Sequence, residues 1–196
     1  MSDHVQSLVA RIHALEDELA DELEKRRDAL ILRIENGRVV FDREVEARHN
    51  ALRTALRKYI GGARPLIVLT APVIYAVIIP FVLLDLFVTL YQAVCFPVYG
   101  LTKVRRRDHI VFDRHRLRYL NAIEKLNCVY CAYGNGLLSY ATEIAARTES
   151  YWCPIKHARR MDYVHRHYND FAEFGDAAAY KERVARWASQ RSDTAR

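Results

Sequence analysis

Three cysteines and a histidine fall into two close pairs, Cys128-Val129-Tyr130-Cys131 and Cys153-Pro154-Ile155-Lys156-His157. The spacing reads Cys-x2-Cys-x21-Cys-x3-His. Thiolate and imidazole together suit zinc or iron, and two close pairs joined by a spacer are a common frame for a tetrahedral structural site. The expectation is that Cys128, Cys131, Cys153 and His157 hold zinc, with iron or a 2Fe–2S cluster as the alternative. A four-ligand closed site leaves no position for a reacting water, so its role would be to staple a small domain. Gly134 and Gly136 read as the flexible loop that such a first pair needs. The spacer, residues 135–152, reads as a helix whose ends lie about 24 Å apart. The pairs therefore meet only if the second folds back or the helix bends.

Two other readings of these cysteines stay open. Cys128 and Cys131 would make a redox dithiol, although no strand precedes them as in a thioredoxin-like context. They would otherwise be plain buried thiols. Cys95 sits in an apolar stretch and reads as a small apolar filler. A disulfide is disfavoured on a cytoplasmic face.

Further polar residues surround the cysteines. Asp113, His115, Asn121, Glu124 and Lys125 precede the first pair, and Glu143 and Glu149 follow it. Carboxylates and a histidine on facing helices can bind two irons, but the paired Glu-x-x-His motif is absent. His165 and His167 are two apart and would point in different directions on a helix. No nucleotide loop, serine elbow or zinc-protease motif is present.

The Cys-x3-His ending, Cys153 to His157, resembles the NEET family, membrane-anchored proteins with a three-cysteine, one-histidine 2Fe–2S cluster. That family's first pair has one residue between the cysteines, and its spacer is much shorter. The resemblance covers the ending alone and implies an iron–sulfur centre there. Thr70-Ala71-Pro72-Val73-Ile74-Tyr75, residues 121–131 and Tyr151-Trp152-Cys153-Pro154-Ile155-Lys156-His157 resemble an uncharacterised group of bacterial membrane proteins. This second resemblance implies a bacterial membrane protein and carries no function with it.

Positioning any such site is a long apolar run, residues 66–101, in which Asp85 is the only Asp, Glu, Lys, Arg or His. As one straight helix it would be roughly 54 Å long, against about 30 Å of hydrocarbon. Pro72, Pro80 and Pro97 are candidate breaks. Residues 80–85 divide the run into halves, which predicts a hydrophobic hairpin, either two short spans or re-entrant. A single span plus an interfacial helix is the rival. Arg43, Arg48, Arg53, Arg57, Lys58 and Arg64 precede the run, and Lys103, Arg105, Arg106, Arg107, Arg114, Arg116 and Arg118 follow it. Basic flanks on both sides place both termini in the cytoplasm. They also attract anionic lipid, with Arg64, Lys103, Arg105, Arg106 and Arg107 facing it. Asp85 is either a membrane-embedded functional acid or the hairpin tip in the far headgroup layer. No secretory signal precedes the run, so it reads as a retained anchor.

The remaining elements read as helices, so the expected fold is mostly α. Residues 3–34 form a helix whose Val5, Leu8, Ile12, Leu15 and Leu19 alternate spacings of three and four, a short coiled-coil seam for a second copy or a partner helix. Asn36-Gly37 ends it or makes a tight turn, and the alternation in Leu32, Ile34, Val39 and Phe41 also fits a short hairpin. Residues 43–60 form a second helix, stopped by Gly61-Gly62. Later helices are marked by Leu117–Leu126, by Leu137–Tyr151 and by Tyr180, Val184 and Trp187; residues 189–196 read as a solvated tail. Three domains result: 1–62, 63–104 and 105–196. The soluble parts are small enough to need a staple or a partner. The net charge of +6 comes mostly from the membrane flanks, and no motif points to nucleic acid. The leading function is a metal-stapled scaffold or interaction module on the cytoplasmic face of a bacterial inner membrane, not an enzyme. The alternatives are a membrane-associated redox protein and a lipid-headgroup enzyme using His109, Asp113 and His115.

Overall fold

The computed structural model describes residues 3–28, 32–35, 38–41 and 43–194. The chain is mostly helical and divides into two compact units. One comprises Met1–Gly62 and Asp113–Asn127, the other Ala63–Phe112 and Cys128–Arg196.

In the first unit, helix α1 (Asp3–Asp28) is shorter than the helix expected over residues 3–34. Strands β1 (Leu32–Glu35) and β2 (Arg38–Phe41) follow, pairing antiparallel from Leu32↔Phe41 to Glu35↔Arg38. The period-two pattern of Leu32, Ile34, Val39 and Phe41 wins over helix continuation here. Asn36, Gly37 and the side chain of Val5 lie outside the described residues. Leu8, Ile12, Leu15, Leu19 and Leu23 of α1 are exposed, so the seam has no partner among the described residues. Helices α2 (Arg43–Ala51) and α3 (Leu56–Gly61) replace the single helix expected over residues 43–60; the break comes where Ala55 turns extended. His49 meets Phe41 and Tyr119 edge-on, and Arg118 pairs with Glu46 at 3.0 Å.

The second unit is built on the apolar run. Helices α4 (Pro65–Ala76) and α5 (Ile78–Tyr99) form one stretch, Pro65–Tyr99, long and apolar enough to cross a membrane. Pro80 has no N–H for the carbonyl of Ala76, and its ring crowds that carbonyl, so the hydrogen-bond ladder is interrupted there. Val77 keeps helical dihedrals, φ −63° and ψ −15°. The interruption is therefore not a hairpin turn, and residues 80–85 lie within α5. The chain reverses instead at Gly100, whose positive φ of 70° closes α5 with its N–H and that of Leu101 bonded back to the last-turn carbonyls. Residues 101–110 then run back along α5. Gln92 accepts from the Val104 N–H at 2.9 Å and donates to the Val104 carbonyl at 3.3 Å, fixing that register.

Helix α6 (Ala122–Trp152) passes straight through the residues expected to form a cysteine loop. A capping box starts it: the Asn121 side chain accepts from the N–H groups of Ile123 and Glu124, and the Glu124 carboxylate accepts from the Asn121 N–H at 2.8 Å. The helix expected from Leu117 is accordingly shortened, with residues 114–116 in a 3-10 turn. Gly134 and Gly136 are helical, and they serve close approach. A Cβ on Gly136 would lie 2.7 Å from the His109 carbonyl oxygen and 2.9 Å from the Ile110 Cα. A Cβ on Gly134 would meet the Phe81 ring at 2.7 Å. The core of the unit forms across these contacts from Phe96, Leu101, Val104, Ile110, Leu137, Tyr140 and Ile144. Helix α7 (Ala177–Thr194) continues through most of the expected tail.

Candidate functional site

The cysteine and histidine set is not brought together. Cys128 and Cys131 lie one turn apart within α6, and Cys153 follows its C-terminal end. At 1.5 Å per residue, Cys131 and Cys153 are about 33 Å apart along the axis. All four cysteines are free thiols, with Cys131 and Cys153 exposed and Cys95 and Cys128 half-buried. His157 stacks on Tyr168, and its backbone N–H donates to the Tyr168 hydroxyl at 2.7 Å. Among the described residues, no three His, Cys, Asp or Glu side chains converge to hold a metal ion. The sequence signal that distinguishes helix from loop here is the Asn121-x-x-Glu124 capping box, with no proline before Pro154 to end the helix that it starts.

Asp85 is placed by the returning segment. Arg106 donates from Nε to Oδ1 at 3.1 Å and from Nη2 to Oδ2 at 2.6 Å. The Tyr133 hydroxyl donates to Oδ2 at 3.0 Å, and Thr89, one turn along α5, adds a bond at 3.3 Å. The acid is therefore a neutralised, hydrogen-bonded group in mid-helix. The other basic residues expected to face lipid lie in different places. Arg64 precedes α4, Lys103 and Arg105 reach a cleft, and Arg107 projects into solvent near Asp108.

That cleft encloses about 600 Å³ and is assembled from residues 102–109, 139–147 and 163–166. Lys103, Arg105, Arg147 and Arg166 line it, against the carboxylates of Asp108 and Glu143, with His109 and His165 also at its walls. Four cations facing two carboxylates leave an excess of two positive charges before either histidine is protonated. Both carboxylates are engaged: Asp108 with Arg105 at 3.1 Å, Glu143 with Arg147 at 2.8 Å and Arg166 at 2.6 Å. His109 Nδ1 lies 2.9 Å from the Ser139 hydroxyl, and Thr142 is also in the wall.

Glu143 is the buried anchor of this wall. Burial acts to raise its pKa, but hydrogen bonds from Arg166, Arg147 and His167 outweigh it and hold the carboxyl down at about 2. Arg147 also donates to the Thr102 carbonyl at 2.6 Å, tying the returning segment to α6. His165 pairs with Glu149 at 2.9 Å, and His167 with Glu143 at 3.3 Å. The two histidines thus face the same helix from an irregular segment. Glu124, Glu143 and Glu149 are accounted for as cap and ion-pair residues. The cleft was missed from sequence because its walls come from three distant stretches, and only the basic run 103–107 marks one of them. The chain matches no protein-family model, no curated protein and no solved structure.

Proposed function

We propose that this chain is a monotopic membrane protein, a non-enzymatic anchoring and interaction module on the cytoplasmic face of a bacterial inner membrane. Its apolar stretch lies in the plane of one leaflet and does not cross. The observation that carries this reading is the exposure of guanidiniums beside α5. Asp85, about two turns into α5, is held by Arg106, whose neighbours Arg105 and Arg107 have side chains 69% and 79% exposed. Were α5 an upright span, these cations would sit within the hydrocarbon, where charge is costly. With α5 lying in the membrane plane, they face water and headgroups.

The other faces support the same reading. Ile79, Val82, Leu83, Leu86, Phe87, Leu90, Val94 and Val98 form one exposed stripe on α5, and the opposite side packs in the core. An apolar stripe of this kind sinks about 5–10 Å into the headgroup–acyl boundary. No residue of α4 is buried, and its length of about 18 Å suits one leaflet better than a span. The basic flanks on both sides then lie on one face without a second crossing. The exposed seam of α1 docks a second copy of the chain or a partner helix with the same a and d spacing.

A membrane-impermeant maleimide tests the topology. In a cysteine-free background, single cysteines near residues 4 and 170 are labelled in inverted vesicles and remain unlabelled in intact right-side-out ones, while one at residue 80, within the lipid-immersed run, is labelled in neither. Labelling of residue 80 from the outer face refutes the one-leaflet reading.

A further inference from the structure

We infer that the cleft between the returning segment and α6 is a binding site for a phosphate monoester carrying two negative charges. This goes beyond the anchoring role and does not depend on how α5 sits in the bilayer. The excess of two positive charges in the cleft matches such a dianion. The types of cation match it as well. Arginine forks give paired hydrogen bonds to phosphate oxygens, and a lysine adds a mobile point charge.

The cleft also divides its groups into fixed and free. Glu143 orders Arg147 and Arg166 at 2.8 and 2.6 Å through a single oxygen, Oε1, so each guanidinium keeps further N–H groups. Arg147 spends one of these on the Thr102 carbonyl. Lys103 lines the cleft but is not among the cations paired there with Asp108 and Glu143. Thr142 adds a hydroxyl donor from α6, and His109, with Nδ1 accepting from the Ser139 hydroxyl at 2.9 Å, can donate to a phosphate oxygen from Nε2. The recognised chemistry is the phosphate monoester itself, whether on a lipid headgroup or on a soluble metabolite.

The test uses the full chain. In detergent, sn-glycerol 3-phosphate is titrated calorimetrically, with inorganic phosphate as competitor. In nanodiscs, phosphatidic acid, a monoester, is compared with phosphatidylglycerol, a singly charged diester. The variants are Lys103→Ala, which removes a cleft cation without breaking an ion pair, and Arg107→Ala, which removes an adjacent exposed cation outside the cleft. We expect phosphatidic acid or glycerol phosphate to bind, and Lys103→Ala to weaken binding roughly tenfold while Arg107→Ala changes it less than about twofold. Binding of the lipid alone assigns the source to a headgroup, and binding of the soluble ester at equal strength assigns it to a metabolite. Equal losses in the two variants, or a diester bound as well as a monoester, mean diffuse surface charge and overturn the inference. So does the absence of binding by both ligands. A crossing helix found by labelling would remove the anchoring reading and leave the glycerol phosphate result standing.

Discussion

Arg106 holds Asp85 with both arms of its guanidinium, Nε to Oδ1 at 3.1 Å and Nη2 to Oδ2 at 2.6 Å, across 21 positions of sequence. The pair fixes the register of the returning segment against α5 and keeps cations beside the middle of an apolar helix. Asp85 is only 15% exposed, so losing its partner leaves a poorly hydrated carboxylate. Arg106→Ala is expected to destabilise the protein by about 1–3 kcal/mol. The double change Asp85→Leu with Arg106→Leu should recover part of that loss, because neither charge is left alone. Thermal unfolding in detergent reads both. A double variant less stable than Arg106→Ala would show that the pair itself holds the segment.

The glycines of α6 give a packing test. Alanine at Gly136 must displace backbone, the His109 carbonyl and the Ile110 Cα. Overpacking of this kind costs about 1–3 kcal/mol, against a gain near 1 kcal/mol from better helix propensity. Gly136→Ala should lower the melting temperature. Gly134→Ala should lower it less, because the Phe81 ring is a side chain that can shift. Gly61→Ala meets open space and should be neutral or mildly stabilising. Equal melting temperatures for Gly136→Ala and Gly61→Ala would mean that the returning segment does not pack on α6 as described.

Glu143 sets an acid limit. Its folded pKa of about 2 lies below the ordinary value of 4.5, so the folded state favours the ionised form. That contribution is complete above the ordinary value. It fades as the pH falls from about 4.5 towards 2, since protons then bind the unfolded chain more readily. Glu143→Gln should flatten stability over this window while lowering it at neutral pH. Unfolding midpoints measured between pH 2 and 6 for both proteins check the sign, and an unchanged slope in the variant would show that other carboxylates carry it.

The helical content, the β1–β2 alternation and the apolar run were legible in the sequence because each rests on local periodicity. The path of the chain after Gly100 was not. Nothing local pairs Arg106 with Asp85 or Arg166 with Glu143, so neither the returning segment nor the cleft could be assembled beforehand. Gly134 and Gly136 were ambiguous for a physical reason: glycine serves loop freedom and close approach equally well, and only the neighbours Phe81 and His109 decide between them. The same ambiguity made Cys-x2-Cys look like a loop pair, when the Asn121 capping box starts a helix that carries it away from Cys153.

That separation has its own consequence. Cys128→Ser and Cys153→Ser should each leave metal content and melting temperature unchanged, as read by elemental analysis and thermal unfolding. One metal per chain, lost in both variants, would require α6 to be broken.

For α1, Leu8→Asn together with Leu15→Asn should reduce an oligomer to monomers in light scattering from detergent solution, because both leucines are exposed on the seam. An unchanged mass would remove self-association from the account.

The disposition of α5 is tested most directly by spin labels placed singly at residues 79, 83, 86, 90, 94 and 98 in nanodiscs, with depth read from oxygen and nickel relaxation. One shallow depth is expected for all six, about 5–10 Å below the headgroups of a single leaflet. A depth that climbs to the midplane and falls again along the series would mean that α5 crosses the bilayer, and would contradict the one-leaflet reading.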